Sequence, residues 1–141
     1  IPKDKVIWEP FLLNSNEQSK KYLQSKGFEV VGDNTIDFFE HNLGEVLIGN
    51  PPFETHLKKR ILKRLVQIDK PFILIMNSLN LFTKYFHEIF GDNQKDVHLI
   101  IPRKKIHYDK FVEGQKVDCG NKTSYYSVFV TYKLLKHNIF L

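Results

Sequence analysis

Asn50-Pro51-Pro52-Phe53 is the stretch of this chain best suited to chemistry. Two prolines in succession fix the backbone and remove two N–H donors. The carbonyls of Asn50 and Pro51 are thereby held in a rigid, non-helical turn, and the Asn50 side chain adds another acceptor. Phe53 adds a flat apolar face. Two acceptors and a ring suit a planar group bearing an exocyclic amine, whose two N–H bonds and π-face they match. The bland alternative is a stiff strand-to-helix turn with Phe53 in the core. The position of the turn, directly after the apolar run Val46-Leu47-Ile48 and Gly49, favours the chemical reading.

A second stretch, Pro102-Arg103-Lys104-Lys105-Ile106-His107-Tyr108, sets cations beside aromatic side chains, with Lys110 and Phe111 close behind. Cations for phosphate and rings for bases are what recognition of a single strand or a flipped base needs. The competing reading is a solvated loop with Tyr108 and Phe111 packed back on the core. Lys58, Lys59, Arg60, Lys63 and Arg64 read as the solvated face of a helix, and Trp8 reads as core. The histidines form no recognisable constellation.

The elements that must position these residues alternate. Val6–Trp8, Phe28–Val31, Val46–Ile48, Phe72–Met76, Val97–Ile101 and Tyr125–Tyr132 read as strands. A helix is expected from Ser15 to Lys26, with Ser15 and Gln18 spaced as a capping box and Gly27 as its stop. Leu57, Ile61, Leu62, Leu65, Val66 and Ile68 recur at helical spacing between Thr55 and Asp69. Leu79, Phe82, Tyr85, Phe86, Ile89 and Phe90 mark one further helix, ended by Gly91. Phe72–Met76 is apolar throughout, as in a strand buried on both faces. The pattern is that of an α/β domain with a mostly parallel sheet, its last two strands antiparallel because no helix separates them. In such sheets ligands bind outside the carboxyl ends of the strands. Asn50 and Arg103 both fall there.

Composition sets the outer bounds. The 141 residues are 42% hydrophobic and 26% charged, which fits a single domain over residues 1–141 and argues against disorder. No apolar run approaches the roughly 18 residues of a membrane span. Ile1-Pro2-Lys3-Asp4-Lys5 does not read as a signal peptide. Cys119 is the sole cysteine, so an internal disulfide is excluded and an intracellular compartment, cytoplasm or nucleus, is expected. No Cys-x-x-Cys or His-x-x-x-His pair suggests a metal site. The net charge of +5 mildly favours a polyanionic partner.

Val46 to Phe53 resembles the catalytic motif of class I S-adenosylmethionine-dependent methyltransferases that act on amino nitrogens, above all the N6-adenine methyltransferases. Trp8-Glu9-Pro10-Phe11 is similar to the end of their first strand. Asp33 sits where an acid holds the cofactor ribose, and Asp37-Phe38 resembles the pair that meets the cofactor adenine. Phe72 to Ser78 is similar to their fifth strand and its polar end. The resemblance implies a Rossmann-like methyltransferase core. Its seven-stranded sheet would run in the order 3-2-1-4-5-7-6, with an antiparallel last strand and helices on both faces. It implies S-adenosylmethionine held by Glu9, Pro10, Phe11, Asn14, Asp33, Asp37 and Phe38, and catalysis by Asn50, Pro51, Pro52 and Phe53. The substrate would be DNA or RNA, held by Arg103, Lys104, Lys105, His107 and Tyr108. With no separate target-recognition domain, a partner subunit could supply that role.

The family follows Glu-Pro with a glycine-rich turn, whereas this chain reads Phe11-Leu12-Leu13-Asn14-Ser15-Asn16. Two further expectations therefore stand beside the first. One is a methyltransferase-like nucleic-acid-binding or partner subunit with a degenerate cofactor turn. The other is N-methylation of a protein glutamine, whose amide also presents two N–H donors.

Overall fold

A computed structural model describes residues 1–12, 17–33, 35–52, 54–106 and 126–141, and the backbone pairing of 110–112 with 115–117. The strands are β1 (Ile7–Trp8), β2 (Val30–Val31), β3 (Val46–Gly49), β4 (Phe72–Asn77), β5 (Val97–Ile101), β6 (Lys110–Val112), β7 (Gln115–Val117), β8 (Ser127–Tyr132) and β9 (Ile139–Phe140). The helices are α1 (Gln18–Ser25), α2 (Thr55–Ile68) and α3 (Lys84–Phe90), with 3-10 turns at Ser78–Phe82 and Gly91–Asp96.

Seven strands form one sheet in the order β2-β1-β3-β4-β8-β5-β9. Only β8 runs against its neighbours, pairing antiparallel with both β4 and β5. The sheet is thus mostly parallel, as expected, but its order is not 3-2-1-4-5-7-6. Counted along the chain, it is 2-1-3-4-6-5-7. The segment between Asp33 and Val46 is too short for a helix and a further edge strand. It makes turns and returns directly to β3 on the other side of β1. The seventh strand lies at the opposite edge, where Ile139 and Phe140 pair parallel with Ile100 and Ile101. The antiparallel strand is therefore the penultimate one. The loop before it also contains the β6–β7 hairpin, which the sequence pattern did not suggest.

The core lies on the α2 and α3 side of the sheet. Strand alternation sends Trp8, Leu47, Phe72, Leu74, Val130 and Tyr132 to this side, where all are fully buried. Helical spacing brings Ile61, Leu62 and Leu65 of α2 and Phe86 and Phe90 of α3 into the same cluster. Phe72 stacks on Tyr132 with ring centroids 5.2 Å apart. β4 is not buried on both faces. Ile73 and Ile75 are half-buried, because the helices pack on the side that Phe72, Leu74 and Met76 occupy.

The expected helix from Leu79 to Phe90 is broken at Thr83. This residue is extended (φ −85°, ψ 145°), and its hydroxyl accepts from the Phe86 amide at 3.3 Å as the cap of α3. The hydroxyl competes with helical continuation, as Thr side chains do. The cap expected at Ser15 lies outside the described residues. Glu17 occupies the N-cap position of α1, in the left-handed region.

Asp69 ties α2 to β8. It ends the helix with φ 59°, accepts from the Tyr132 hydroxyl at 2.6 Å and pairs with Lys133 at 2.8 Å. These two contacts hold its carboxyl below the ordinary aspartate value of 3.8. A lowered folded value means that the contribution is present above 3.8 and is lost as pH falls through the folded value. Asp69→Asn keeps a residue that tolerates this backbone and an oxygen for Tyr132, whereas Asp69→Ala keeps neither. Thermal unfolding at pH 7 should therefore show a larger fall in Tm for Asp69→Ala than for Asp69→Asn. Asp69→Asn should also blunt the wild-type loss of stability below pH 4.

Candidate active site

β3 delivers the Pro-Pro turn. Gly49, the last residue of β3, pairs with Leu74 of β4, so Asn50 to Pro52 leave the strand at the carboxyl edge of the sheet. Asn50 is exposed, Pro51 buried and Pro52 half-buried. Glu54 fixes the exit from the turn. Its carboxylate accepts from the His56 and Leu57 amides, both at 2.8 Å, and these bonds hold it below the usual glutamate range. A charged N-cap here also complements the positive end of α2.

One turn further on, Lys58 is buried and donates to Asn80 Oδ1 at 2.8 Å. Tyr85 donates to the same oxygen, and Asn80 Nδ2 donates to the Asn77 carbonyl at 2.8 Å. The start of α2 is thereby clamped to the end of β4. Lys58 is not part of a solvated helix face. Neither is Arg64, which donates to the Phe38 carbonyl at 2.9 Å and to the His41 carbonyl at 2.7 Å. Arg60 stands 4.4 Å from the Phe39 ring centroid. The basic stripe of α2 holds the 37–41 turn in place, and helical periodicity carries no signal of that use.

Between this turn and Pro52 lies a crevice of about 300 Å³, whose walls include Pro10, Phe11, Ile36, Asp37, Phe38 and Leu57. Pro10, Phe11, Asp37, Phe38 and Pro52, distant in the sequence and each singled out from it, thus meet around one space. Phe11 and Phe38 lie 5.1 Å apart between centroids. The Phe11 ring rests on Gly49, where an added Cβ would come within 2.6 Å of Phe11 Cδ2. Only glycine admits the ring at this height. A groove of about 370 Å³ between α2 and α3 is larger, but it lies along the middle of the helices, and the sequence marked its lining only as helix faces and not as site residues.

Glu9 and Asp33 stand beside the crevice rather than in its walls. Glu9 is 3% exposed and turns toward α1, where its Oε2 accepts from Ser19 Oγ at 3.1 Å. The ends of β1 and β2 approach closely because Gly32, at φ 120°, has no Cβ; one placed there would sit 2.4 Å from the Glu9 carbonyl oxygen. Lys20 donates to the Gly32 carbonyl at 2.8 Å, a contact no motif announced. Asp33 closes its own turn, with Oδ1 accepting from the Thr35 amide at 2.7 Å and from the Thr35 hydroxyl. Asp37 does the same with the Phe39 amide at 2.8 Å.

Past the Pro-Pro turn, the carboxyl edge of the sheet runs on to β5, where Arg103 and Lys104 are exposed. Lys105 is half-buried and stands 5.2 Å from the ring centroid of Tyr126, a residue the sequence did not mark. Asn14, Phe53, His107 and Tyr108 lie outside the described residues. Among the described residues, no group of three or more His, Cys, Asp or Glu is placed to hold a metal ion. No described helix is long and apolar enough to cross a membrane. Comparison with protein-family models and with curated proteins finds no match.

Burial raises the Glu9 pKa above its ordinary value of 4.5, outweighing the Ser19 bond and the nearby Lys20 charge. Below 4.5 the carboxyl is protonated in both folded and unfolded chains, and the full contribution is present. As pH rises through the raised folded value, ionisation in the buried site costs stability. Glu9→Gln keeps an acceptor for Ser19 and has no charge to bury. Its Tm should exceed that of wild type at pH 7, and the difference should shrink toward pH 4.

Proposed function

We propose that this chain transfers a methyl group from S-adenosylmethionine to an amino nitrogen, with N6 of adenine in nucleic acid as the acceptor. The observation that carries the reading is the shared wall at Pro52. On one side is the exposed Asn50 turn, with acceptors for an amine. On the other is an aromatic crevice edged by the Asp37 carboxylate. The crevice fits the adenosyl half of the cofactor, with rings of Phe11 and Phe38 for the purine and Asp37 for its exocyclic amine. Asp33 has its Oδ1 occupied by Thr35, which leaves Oδ2 for ribose hydroxyls.

When bound, S-adenosylmethionine supplies a methyl on a sulfonium, electrophilic without help from a metal. The acceptor amine is a poor nucleophile because its lone pair is delocalised into the ring. Asn50 Oδ1 and the Pro51 carbonyl accept its two hydrogens and draw the nitrogen toward tetrahedral geometry. Phe53, next in the sequence, is assigned the stacking face. With the methyl passed from sulfur to nitrogen, the surplus proton on the amine would leave to solvent at the exposed Asn50. The remaining contributions are in-line positioning and fixed dipoles. Arg103, Lys104 and Lys105 supply the phosphate contacts.

A second reading is favoured by the glycine-free segment after Pro10. Phe11 sits directly on Gly49, and Leu12 is buried. A subunit that binds nucleic acid without using a cofactor would keep the same sheet and the same basic loop. Titration calorimetry with S-adenosylhomocysteine separates the two. Saturable heat at micromolar to millimolar ligand supports the enzyme, and no heat at millimolar ligand leaves the binding subunit. Asn50→Ala should lower kcat for methyl transfer to adenine-containing oligonucleotides by about a hundredfold or more. Its affinity for S-adenosylhomocysteine should stay near wild type, because the side chain acts on the amine as its geometry changes. Near-wild-type turnover in the variant would overturn the assignment of Asn50.

A further inference from the structure

The carboxyl edge of the sheet carries a second surface, beside the Asn50 turn and continuous with the basic loop. Asn77 ends β4, and its side chain accepts from the Leu79 amide at 3.1 Å, which opens the 3-10 turn Ser78–Phe82. Side chains three apart eclipse in such a turn, so Leu79 and Phe82 form one ridge. Asn80 is buried and Leu81 packs against the core, which turns the ridge outward. Leu79 is 65% exposed and Phe82 is 83% exposed. The Ser78 amide donates to the Tyr126 carbonyl at 2.8 Å and joins the ridge to the start of β8. Tyr126 is itself 65% exposed, with Lys105 at its ring. A cluster of large apolar side chains left in water beside cations marks a contact surface.

We propose that Leu79, Phe82 and Tyr126 form a stacking surface for unpaired bases, so that the chain takes single-stranded rather than duplex nucleic acid. The proposal rests on the nucleic-acid reading of the Asn50 turn and names the form of its substrate. In a duplex the base faces are hidden in the stack, and the surface offers phosphates and groove edges. Exposed rings gain nothing there. An unpaired strand presents both faces of every base, and stacking on aromatic side chains is tolerant of sequence. Lys105 covers part of the Tyr126 ring and brings a cation to the phosphate side of the same nucleotide. Neighbouring strands lie about 4.8 Å apart, so two spacings, about 10 Å across the sheet, separate the end of β3 from the start of β8. Bases on this surface therefore flank the nucleotide at Asn50 rather than being the target itself.

The test uses fluorescein-labelled mixed-sequence 12-mers of DNA and of RNA, single-stranded and annealed to their complements, with binding read by anisotropy across a salt series. Wild type should bind the single strands at least about tenfold tighter than the duplexes. Phe82→Ser and Tyr126→Ala should each weaken single-strand binding by about tenfold, with Tm and salt slope unchanged. Lys105→Ala should lower the salt slope by about one unit. Equal or tighter duplex binding overturns the proposal, as do surface variants that bind like wild type. It is also overturned if sedimentation shows a dimer that Phe82→Ser dissociates while oligonucleotide affinity is unchanged, for the ridge then covers another copy of the chain. Failure of the methyl-transfer reading shows separately, as absent turnover in a wild type whose single-strand binding still depends on Phe82 and Tyr126.

Discussion

The packing of Ile61, Leu62 and Leu65 into one core with Leu47, Phe72 and Leu74 sets how α2 lies on the sheet. Much of the candidate site hangs from that helix. Its first turn takes the charged cap from Glu54 and so limits how the Pro-Pro turn can end. Its second turn sends Lys58 to Asn80, and its third sends Arg64 to the carbonyls of Phe38 and His41. One apolar stripe thus orients a polar stripe that fixes the turn, the end of β4 and one wall of the crevice. Burial of each core side chain is worth about 1.5–3 kcal/mol, and the stripe contributes several such terms, whereas a single hydrogen bond to a charged group supplies no more than one of them.

The polar clamps have a different role. A buried ammonium bonded to an amide oxygen is not a strong source of stability, since desolvation offsets much of what the bond returns. Its value lies in direction. The Lys58, Tyr85 and Asn80 contacts specify the angle between α2 and the 3-10 turn after β4. They thereby set the distance from the Asn50 turn to the Leu79–Phe82 ridge.

Features set by local periodicity could be read from the sequence. The bounds of α2 match its apolar spacing, β3 and β5 end where Gly49 and Pro102 suggested, and β4 runs one residue past the apolar run that ends at Met76. The order of the sheet was misjudged at its edges, because a missing βα unit after Asp33 and a short strand at Ile139 leave little pattern. The uses of Lys58 and Arg64 were hidden because a cation facing solvent and one facing a carbonyl look alike in a chain of letters. Leu79 and Phe82 fit a helical stripe with Phe86 and Phe90, and only the Thr83 hydroxyl cap turns them from core to surface. Pro10, Phe11, Asp37, Phe38 and Pro52 are expected site residues from the sequence, and the structure gathers them around one crevice. Glu9 was named too, but its carboxylate serves α1.

The contact between Gly49 and Phe11 has a consequence for how this crevice can vary. The ring lies so close to the backbone that a single hydrogen sets the floor of the cavity. A methyl at that position would lift the ring toward Phe38 and narrow the slot, with no change to any residue that touches a ligand directly. Trimming Phe11 instead would deepen the slot and leave the strand intact. Two neighbouring positions thus act as a coarse and a fine adjustment of ligand size, separable from the polar groups that set ligand chemistry. Bulkier ligands could be accommodated in this crevice through Phe11 alone.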